Sequence, residues 1–588
     1  MEYPILNVKP KSRQMIDAFL GYNHNLRCGE NEFYEIENMT SDYYPVLATR
    51  ERRGIDITPK DTVYGIIGKD ELCYVDGTDF VIGEERVDMG LAPSFKDLIS
   101  MGSYVIIMPD RKYVNTVKVN GKYEVGDIDE VHTTTKDVKF TLCTITGGDY
   151  ELDGIDSATA PTTPTNGQLW LDTSSEPHTL KKYSKASEQW VSIATTYIKV
   201  SSKGIGKNLK KYDGVKISGI TAEGLTDLNS SHTLMECTDD SFIITGMLEK
   251  VTTQKVSQGE ITISRKMPVM DFITESNNRL WGCRYGTNED GNVVNEIYAC
   301  KLGDFKNWNC FMNLATDSYA ASCGTDGPFT GAITHLGYPL FFKENCVHKV
   351  YGNYPANFQI VDTTCRGVQK GSHKSLAIVN ETVFYKSTNA VCAYDGSLPV
   401  EVSAALGKVN YSKAVACAYG NKYYIQMKAG STELFVYDTA KNIWHKENGT
   451  SYDNFETLYS SQGKVYGILD NRKGIVTLAG SENHDAEEYF HWSVETGNIG
   501  MNLPDMKYIS KLLIRMFLDG GATATISIKY DEDLIGETVY QVSATNLRSI
   551  CIPIRPRRCD HFKIGISGKG NCRIYSITKT IEQGSDIS

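Results

Sequence analysis

The residues in this sequence that could do chemistry are few, and they are widely scattered. The best carboxylate pair is Asp271 and Glu275 in MDFITES, close to Trp281. A glycosidase needs two carboxylates beside the scissile bond, usually with an aromatic ring that stacks on the sugar. The alternative is that both carboxylates lie in a solvated loop and that Trp281 belongs to the core. A glycan hydrolase is therefore the third of three functional hypotheses.

Other catalytic and metal-binding signatures are missing from the sequence. It has no H-E-x-x-H, no complete P-loop, no G-x-S-x-G and no EF-hand spacing. The 15 cysteines form no C-x-x-C pair, and no histidine pair lies beside them at zinc spacing. We predict no enzyme, no metal site and no cofactor, and we expect buried free thiols from a reducing cytoplasm.

Two tryptophans and two arginine clusters are the candidate binding residues. Trp170 and Trp190 lie in a compact strand–turn–strand pattern, and they could stack on sugar rings or form a small core. The arginines could anchor a protein interface, because guanidinium groups make bidentate, weakly hydrated contacts. The alternative for the second cluster is an exposed strand end paired with Asp560. The candidate interface residues are Arg50, Arg52, Arg53, Arg555, Arg557 and Arg558.

Charge and hydropathy exclude two classes of partner. The chain has 61 basic and 72 acidic residues, for a net charge of −11, which argues against a general nucleic-acid-binding surface. The same charge is compatible with a passage through which DNA slides without binding. No apolar run approaches about 18 residues, so we expect no membrane span.

Paired strands with tight turns dominate the chain. Between residues 63 and 82, Gly-Lys-Asp and Asp-Gly turns separate three apolar strands, and Asn120-Gly121 marks another hairpin. Related units recur at roughly 40-residue spacing, which is the period of propeller blades built from four short strands. The sequence thus predicts an all-β fold with a β-propeller of about seven blades.

Two regions interrupt this pattern. A Pro/Thr-rich stretch begins a small inserted β domain, and a cleanly alternating C-terminal region predicts an antiparallel β-sandwich of jelly-roll type. There we expect one strand around Leu512 and a second around Ile526, separated by a Gly-Gly turn. The predicted organisation is an N-terminal arm at 1–60, first blades at 61–139, the insert at 140–265, further blades at 266–484 and the sandwich at 485–588.

Several phrases in this order resemble virion proteins of tailed bacteriophages and of related prophages. The phrase ENMTSDYYPVLATRERR is similar to the opening of tail propeller proteins of the nozzle or tail-hub kind. One blade of these tail propeller proteins resembles LFFKENCVHKVYG. Their C-terminal sandwich resembles IPIRPRRCDHFKIGISGKGNCRIYSI. PTNGQLWLDTSSEPHTLKKYSKASEQW is similar to a small module spliced into many phage tail proteins.

The resemblance implies a structural protein that has no catalytic activity and no cofactor. It implies a ring of identical copies on the tail axis, commonly six, in contact with other tail or neck proteins and with DNA passing through. The expected location is the tail of the virion, after synthesis in the host cytoplasm. The first hypothesis is therefore a neck, nozzle or tail-tip component that surrounds the DNA conduit. The second is a receptor-binding protein that holds a host surface glycan on Trp170 and Trp190.

Overall fold

The structure is a computed structural model that describes residues 11–150, 155–257, 259–289, 291–448, 452, 454–480, 487 and 490–583. Strands make up the fold, and the helices in this part of the chain are four 3-10 turns: Thr226–Leu228, Pro355–Asn357, His373–Ser375 and Ala404–Leu406. None of these described helices is long and apolar enough to cross a membrane. The predicted all-β class is confirmed.

The first described segment contributes five strands to two different parts of the molecule. β1 to β4 pair within a sheet near the C-terminus, whereas β5 joins the last sheet of the ring described below. Residues 33–37 of this segment form a strand that pairs with residues 493–496. The strands are β1 (Lys11–Ile16), β2 (Phe33–Glu37), β3 (Met39–Thr40), β4 (Leu47–Thr49) and β5 (Gly54–Ile57).

Two four-stranded antiparallel sheets follow, and we call them sheets 1 and 2. Their hairpins turn where the sequence predicts, with Gly77 and Gly121 in the left-handed backbone region that glycine favours. Sheet 1 contains β6 (Val63–Gly68), β7 (Leu72–Asp76), β8 (Asp79–Ile82) and β9 (Glu85–Asp88). Sheet 2 contains β10 (Asp97–Met101), β11 (Tyr104–Met108), β12 (Lys112–Asn115) and β13 (Val125–Asp127).

The insert contains thirteen strands in three small sheets, and it begins at Glu130 rather than at 140. Two sheets enclose a core that includes Phe140, Ile198 and Phe242, and the third is formed by β16 to β19. The strands are β14 (Glu130–Thr134), β15 (Val138–Cys143), β16 (Ile155–Ser157), β17 (Leu169–Asp172), β18 (Thr179–Ser184), β19 (Gln189–Ser192), β20 (Tyr197–Ser201), β21 (Gly214–Ser218), β22 (Ser231–Thr233), β23 (Glu236–Thr238), β24 (Ser241–Thr245), β25 (Gln254–Val256) and β26 (Ile261–Arg265).

Five more four-stranded sheets follow the insert. Sheets 3 to 6 each use four consecutive strands, and sheet 7 consists of β43 to β45 with β5 as its outer strand. The strands are β27 (Phe272–Ser276), β28 (Arg279–Thr287), β29 (Val293–Ala299), β30 (Tyr319–Ser322), β31 (Gly331–His335), β32 (Tyr338–Lys343), β33 (Cys346–Tyr351), β34 (Gln359–Thr364), β35 (Ala377–Val379), β36 (Thr382–Lys386), β37 (Val391–Tyr394), β38 (Val400–Glu401), β39 (Ser412–Tyr419), β40 (Lys422–Ala429), β41 (Ser431–Asp438), β42 (Ile443–Lys446), β43 (Phe455–Ser461), β44 (Lys464–Leu469) and β45 (Ile475–Ala479).

These sheets pack face to face in a closed circle, which is the arrangement of a β-propeller. Sheets 1 and 2 share one hydrophobic cluster, and every further neighbouring pair shares another. The last cluster joins sheet 7 to sheet 1, with Ile468 and Ile475 beside Ile66 and Tyr74. A small sheet cannot bury both faces alone, so each covers its neighbour. The predicted β-propeller is confirmed.

The C-terminal strands and β1 to β4 form one nine-stranded sheet. β47 is a single strand that runs through Gly520 and Gly521, so the predicted turn there is wrong. Its first half pairs with β50 and its second half with β49, and β48 pairs along both halves. The strands are β46 (His491–Thr496), β47 (Lys507–Tyr530), β48 (Glu537–Pro553), β49 (Phe562–Lys569) and β50 (Cys572–Gln583). The predicted boundary between 484 and 485 lies outside the described residues.

Buried and less buried side chains alternate along β47, and this alternation predicts how substitutions affect stability. Ile526 is fully buried, whereas its neighbour Thr525 points to the opposite face and is half-buried. We expect Ile526→Ala to lower the free energy of unfolding by about 2–5 kcal/mol, because it removes buried methyl groups and leaves a cavity. Thr525→Ala should cost less than about 1 kcal/mol. Urea unfolding of both variants checks this, and equal costs would contradict the assigned faces.

Candidate interaction surfaces

The first arginine cluster lies inside the molecule and not on its surface. Arg50 is buried, donates to both carboxylate oxygens of Glu487 at 2.9 and 3.0 Å, and lies 4.2 Å from the ring centre of Phe490. Burial alone would raise the pKa of Glu487, but the hydrogen bonds from Arg50 outweigh it and hold that pKa below its usual value. Arg50 is therefore not available as an interface anchor.

Arg53 is buried even more completely. Its guanidinium donates to the Glu447 carboxylate at 2.9 Å and to the Glu447 carbonyl oxygen at 3.2 Å. Its backbone N–H donates to Glu487 at 2.8 Å. Arg52, between the two, is half-buried. The prediction of an interface role is wrong for Arg50 and Arg53, because the chain passes here between the C-terminal sheet and the propeller.

Further ion pairs tie the N-terminal segment to the rest of the chain. The Lys422 ammonium in sheet 6 lies 2.6 Å from Asp42 and donates to Thr40 at 2.8 Å. The buried Lys579 ammonium in β50 lies 2.8 Å from Glu30. With the arginine pairs, these contacts fix one segment against both the propeller and the C-terminal sheet. We call residues 11–57 the clasp.

Removing one side of a buried pair should destabilise the protein strongly. Arg53→Ala leaves Glu447 buried without this cation, and we expect a loss of about 3–5 kcal/mol in the free energy of unfolding. The adjacent Arg52→Ala is the matched control, with an expected change within about 1 kcal/mol. Chemical denaturation measures both variants. A small loss for Arg53→Ala would show that the clasp contributes little to stability.

The second arginine cluster is exposed and lies between β48 and β49. Arg557 donates to both carboxylate oxygens of Asp533 at 2.8 and 3.2 Å, and its guanidinium lies 4.9 Å from the ring centre of Tyr530. Asp560, the partner expected from sequence, instead pairs with His561 at 3.0 Å. Arg555 and Arg558 are exposed as well. The interface role of these three arginines stays a prediction.

Exposed apolar side chains lie at the same end of the C-terminal sheet. Leu534 is 92% exposed and Ile535 is 87% exposed, both in the turn between β47 and β48. Leu26 of the clasp is 99% exposed, and it lines one groove with Leu534, although most side chains of that groove are polar or charged. We call Leu26, Leu534 and Ile535 the apolar tip. Sequence alternation did not identify it, because these three residues lie between strands.

The outer sheet of the insert carries its aromatic rings on one face. Trp190 makes edge contacts with Trp170, at 5.4 Å between ring centres, and with Tyr183, at 5.3 Å. The Lys181 ammonium lies 4.8 Å from the Trp170 ring centre and 2.8 Å from Asp172. The structure thus brings the two predicted tryptophans together. We call Trp170, Lys181, Tyr183 and Trp190 the aromatic face.

The carboxylates considered for hydrolysis have structural partners. Asp271 pairs with Arg284 at 2.6 Å and accepts the Tyr285 backbone N–H at 2.8 Å. Glu275 accepts the backbone N–H of Asn278 in the β27–β28 turn at 2.8 Å. Trp281 is buried and packs against Phe358, 4.9 Å away.

Cysteine and histidine side chains follow a similar pattern. All 15 cysteines are free thiols, and ten of them are buried, as the sequence predicts. Burial lowers the pKa of His348 to about 4, and its ring is hydrogen-bonded to the Thr325 hydroxyl at 2.8 Å. Among the described residues, no group of three His, Cys, Asp or Glu side chains is placed to hold a metal ion.

Side chains from five sheets of the propeller converge near its centre. The Lys374 ammonium, just before sheet 5, lies 3.1 Å from the ring centre of Phe95, just before sheet 2. Arg472 of sheet 7 lies 5.8 Å from the rings of Phe95 and of Tyr64 in sheet 1. His373 also contacts Phe272 of sheet 3. Because these sheets lie on different sides of the ring, the contacts fill its centre on this face, and we call them the axial cluster.

The axial cluster should make stability depend on alkaline pH. Burial lowers the pKa of Lys374 to about 8, although Asp97 and Glu456 act in the opposite direction. The unfolded lysine keeps its ordinary pKa near 10.4, so between about pH 8 and 10.4 the unfolded state binds more protons. Wild-type stability relative to Lys374→Met should therefore rise by at least about 1 kcal/mol over this range.

Thermal or urea unfolding at pH 7.5 and at pH 10.5 measures this difference, and other titrating groups cancel in the comparison. A flat difference between the wild type and Lys374→Met over this range would contradict the burial of the Lys374 ammonium.

The chain shows only weak similarity to the known proteins with which it was compared. No family model matches the chain, and no curated protein matches it. Trypanosoma rangeli sialidase is 9% identical with a TM-score of 0.21, over 89% of this chain and 96% of the sialidase. An engineered GH43 glycoside hydrolase is 8% identical with a TM-score of 0.19, over 54% of this chain and 99% of the enzyme.

An acylaminoacyl peptidase from Pyrococcus horikoshii is 10% identical, with a TM-score of 0.22. The match covers 54% of this chain and 55% of the peptidase, so it spans about half of that protein. Scores this low carry no argument about what this chain does.

Proposed function

We propose that this chain is a structural subunit of a bacteriophage tail, in a ring of identical copies at the neck, nozzle or tail tip. In this proposal the seven sheets are the seven blades of one propeller, and the C-terminal sheet is an antiparallel sandwich bent at Gly520 and Gly521. The chain acts as a rigid part, without catalysis or a cofactor. Its neighbours are sister copies and other tail proteins.

The observation that carries this proposal is the free edge formed by β48. This strand is 17 residues long, and among the described strands it pairs only with β47. Most of its side chains are exposed, including Tyr540 and Leu547. A long free edge invites pairing with another chain, and soluble monomers usually shorten or cover such edges. An edge of this length supports a chain that works inside an assembly.

The apolar tip supports the same conclusion. Leu534 and Ile535 expose almost their whole side chains beside this edge, with the exposed Arg557 nearby. Apolar side chains rimmed by arginine are typical of protein interfaces. A stable interface buries on the order of 1,000 Å² or more, and Leu534 and Ile535 directly precede the edge strand in sequence.

In this proposal the DNA conduit lies between subunits and not inside one propeller. Lys374, Phe95 and Arg472 fill the centre of the propeller on one face, so the propeller itself cannot be the passage. A ring of copies would enclose the channel, with the propeller as part of its wall. The net charge of −11 suits a channel wall that does not hold DNA.

Charging the apolar tip should break the assembly without unfolding the subunit. In Leu534→Asp/Ile535→Asp the new carboxylates are solvated in the monomer but would be desolvated in an interface. We expect the wild type to form an oligomer by light scattering and the double variant to shift to monomer, with unchanged circular dichroism. Leu398→Asp, on an exposed leucine of sheet 5, is the control and should assemble normally.

Tailed particles provide the direct test of location. An antibody raised against the purified chain should label one axial level of tails released from a strain that carries the gene. Absence of the chain from purified particles would overturn the proposed function. A wild-type chain that stays monomeric and is found on no particle would remove the structural hypothesis altogether.

A further inference from the structure

The aromatic face is not the core of the insert, although the tryptophans could have formed one. On β17, Leu169 and Leu171 join the hydrophobic core of the insert, together with Leu180 of β18. Trp170 lies between the two leucines in sequence and therefore on the other side of the sheet. Trp190 and Tyr183 form a cross-strand pair on that same side. The rings are thus displayed on the face that turns away from the core.

This face is partly open to solvent. Ile155 pairs across from Trp170 and is 40% exposed, while Tyr183 and Trp190 are half-buried. Trp170 itself is buried under its neighbours, so it supports the platform and Trp190 forms its surface. The other four tryptophans of the chain, at 281, 308, 444 and 492, are buried. Trp190 is therefore the one tryptophan side chain of the six that a ligand can reach directly.

Polar groups lie beside the rings at fixed positions. Asp172 is held by Lys181 at 2.8 Å and by the Ser174 hydroxyl at 2.6 Å. The hydrogen bond from Lys181, with those from Ser174, lowers the pKa of Asp172 to about 2, so this carboxylate is charged throughout the physiological range. Gln168 and Ser192 occupy the same side of the sheet by register. Aromatic rings with a few polar groups at fixed positions beside them have the composition of ligand sites, in which the polar groups set orientation.

We propose that the aromatic face of the insert binds the pyranose rings of a polysaccharide. A pyranose presents an apolar C–H face that stacks on an aromatic ring and hydroxyl groups that hydrogen-bond at its rim. Trp190 and Tyr183 supply the rings, and Lys181 supplies a rim contact, held in place by the buried Asp172. Ile155 is the exposed aliphatic side chain assigned to this face, and the remaining exposed members are rings and polar groups, which suits a sugar.

This inference goes beyond the proposed function and does not rest on it. The insert lies between sheets 2 and 3, with its own core, whereas the assembly surface lies on the C-terminal sheet. A tail subunit with a sugar-binding insert and a free-standing sugar-binding protein are both compatible with the site. Failure of either test therefore leaves the other intact.

The test is a titration of the full-length chain with soluble oligosaccharides. Cellohexaose, chitohexaose and a galactan are the probes, each up to about 10 mM, a range that reaches the weak affinities expected of single sites. We expect at least one probe to bind by calorimetry and to shift tryptophan fluorescence through Trp190. Trp190→Ala and Tyr183→Ala should each weaken that binding by about tenfold or more.

The control is Val191→Ala, the next residue on β19, which points to the opposite face and is 52% exposed. It should bind like the wild type. Circular dichroism identifies any variant that fails to fold. If Trp190→Ala does not fold, Trp190→Phe replaces it. This variant keeps an aromatic ring, so it should still bind the probe but without the shift in tryptophan fluorescence. No binding of any probe by the wild type, or equal binding by Tyr183→Ala and the wild type, would overturn the proposal.

Discussion

The fold depends on one constraint: the clasp must pair with the propeller and with the C-terminal sheet at the same time. β5 supplies the outer strand of sheet 7, and β1 to β4 lie in the C-terminal sheet. Between them, Arg50 and Arg53 are buried against Glu487 and Glu447. Buried charges are tolerated only with their partners in place, so the segment cannot leave either module without a large cost. The clasp thus closes the propeller and fixes it to the C-terminal sheet.

Local signals in the sequence predicted the strands well. The Asp-Gly and Asn-Gly turns predicted the hairpins of sheets 1 and 2, where Gly77 and Gly121 have the left-handed backbone conformation. Turn chemistry and alternation act over a few residues, so a single sequence displays them fully. The repeat of about 40 residues then indicated the propeller, because each unit needs a neighbour to cover its faces.

Contacts between distant residues were not predictable in the same way. Arg53 pairs with Glu447 across 394 positions of sequence, and no local sequence pattern near either residue predicts this pair. The basic cluster at 50–53 looked like an exposed anchor for that reason. The continuity of β47 was missed because Gly520 and Gly521 permit a turn as readily as a continuous strand. At the aromatic face both tryptophans were predicted from their pattern, whereas Tyr183 and Lys181 became visible only from the register of β18 and β19.

The position of β5 has a consequence for how the chain is made. Its partner β45 lies more than 400 residues later, and β50, the partner of β1 and β4, is the last described strand. At about 5–20 residues per second, a ribosome needs on the order of 20–80 s to travel from β5 to β45. β5 must therefore wait, unpaired, until β45 is made. A chain that stops before β45 would complete neither module, whereas a chain that stops between β45 and β50 would contain every strand of the propeller but not of the C-terminal sheet.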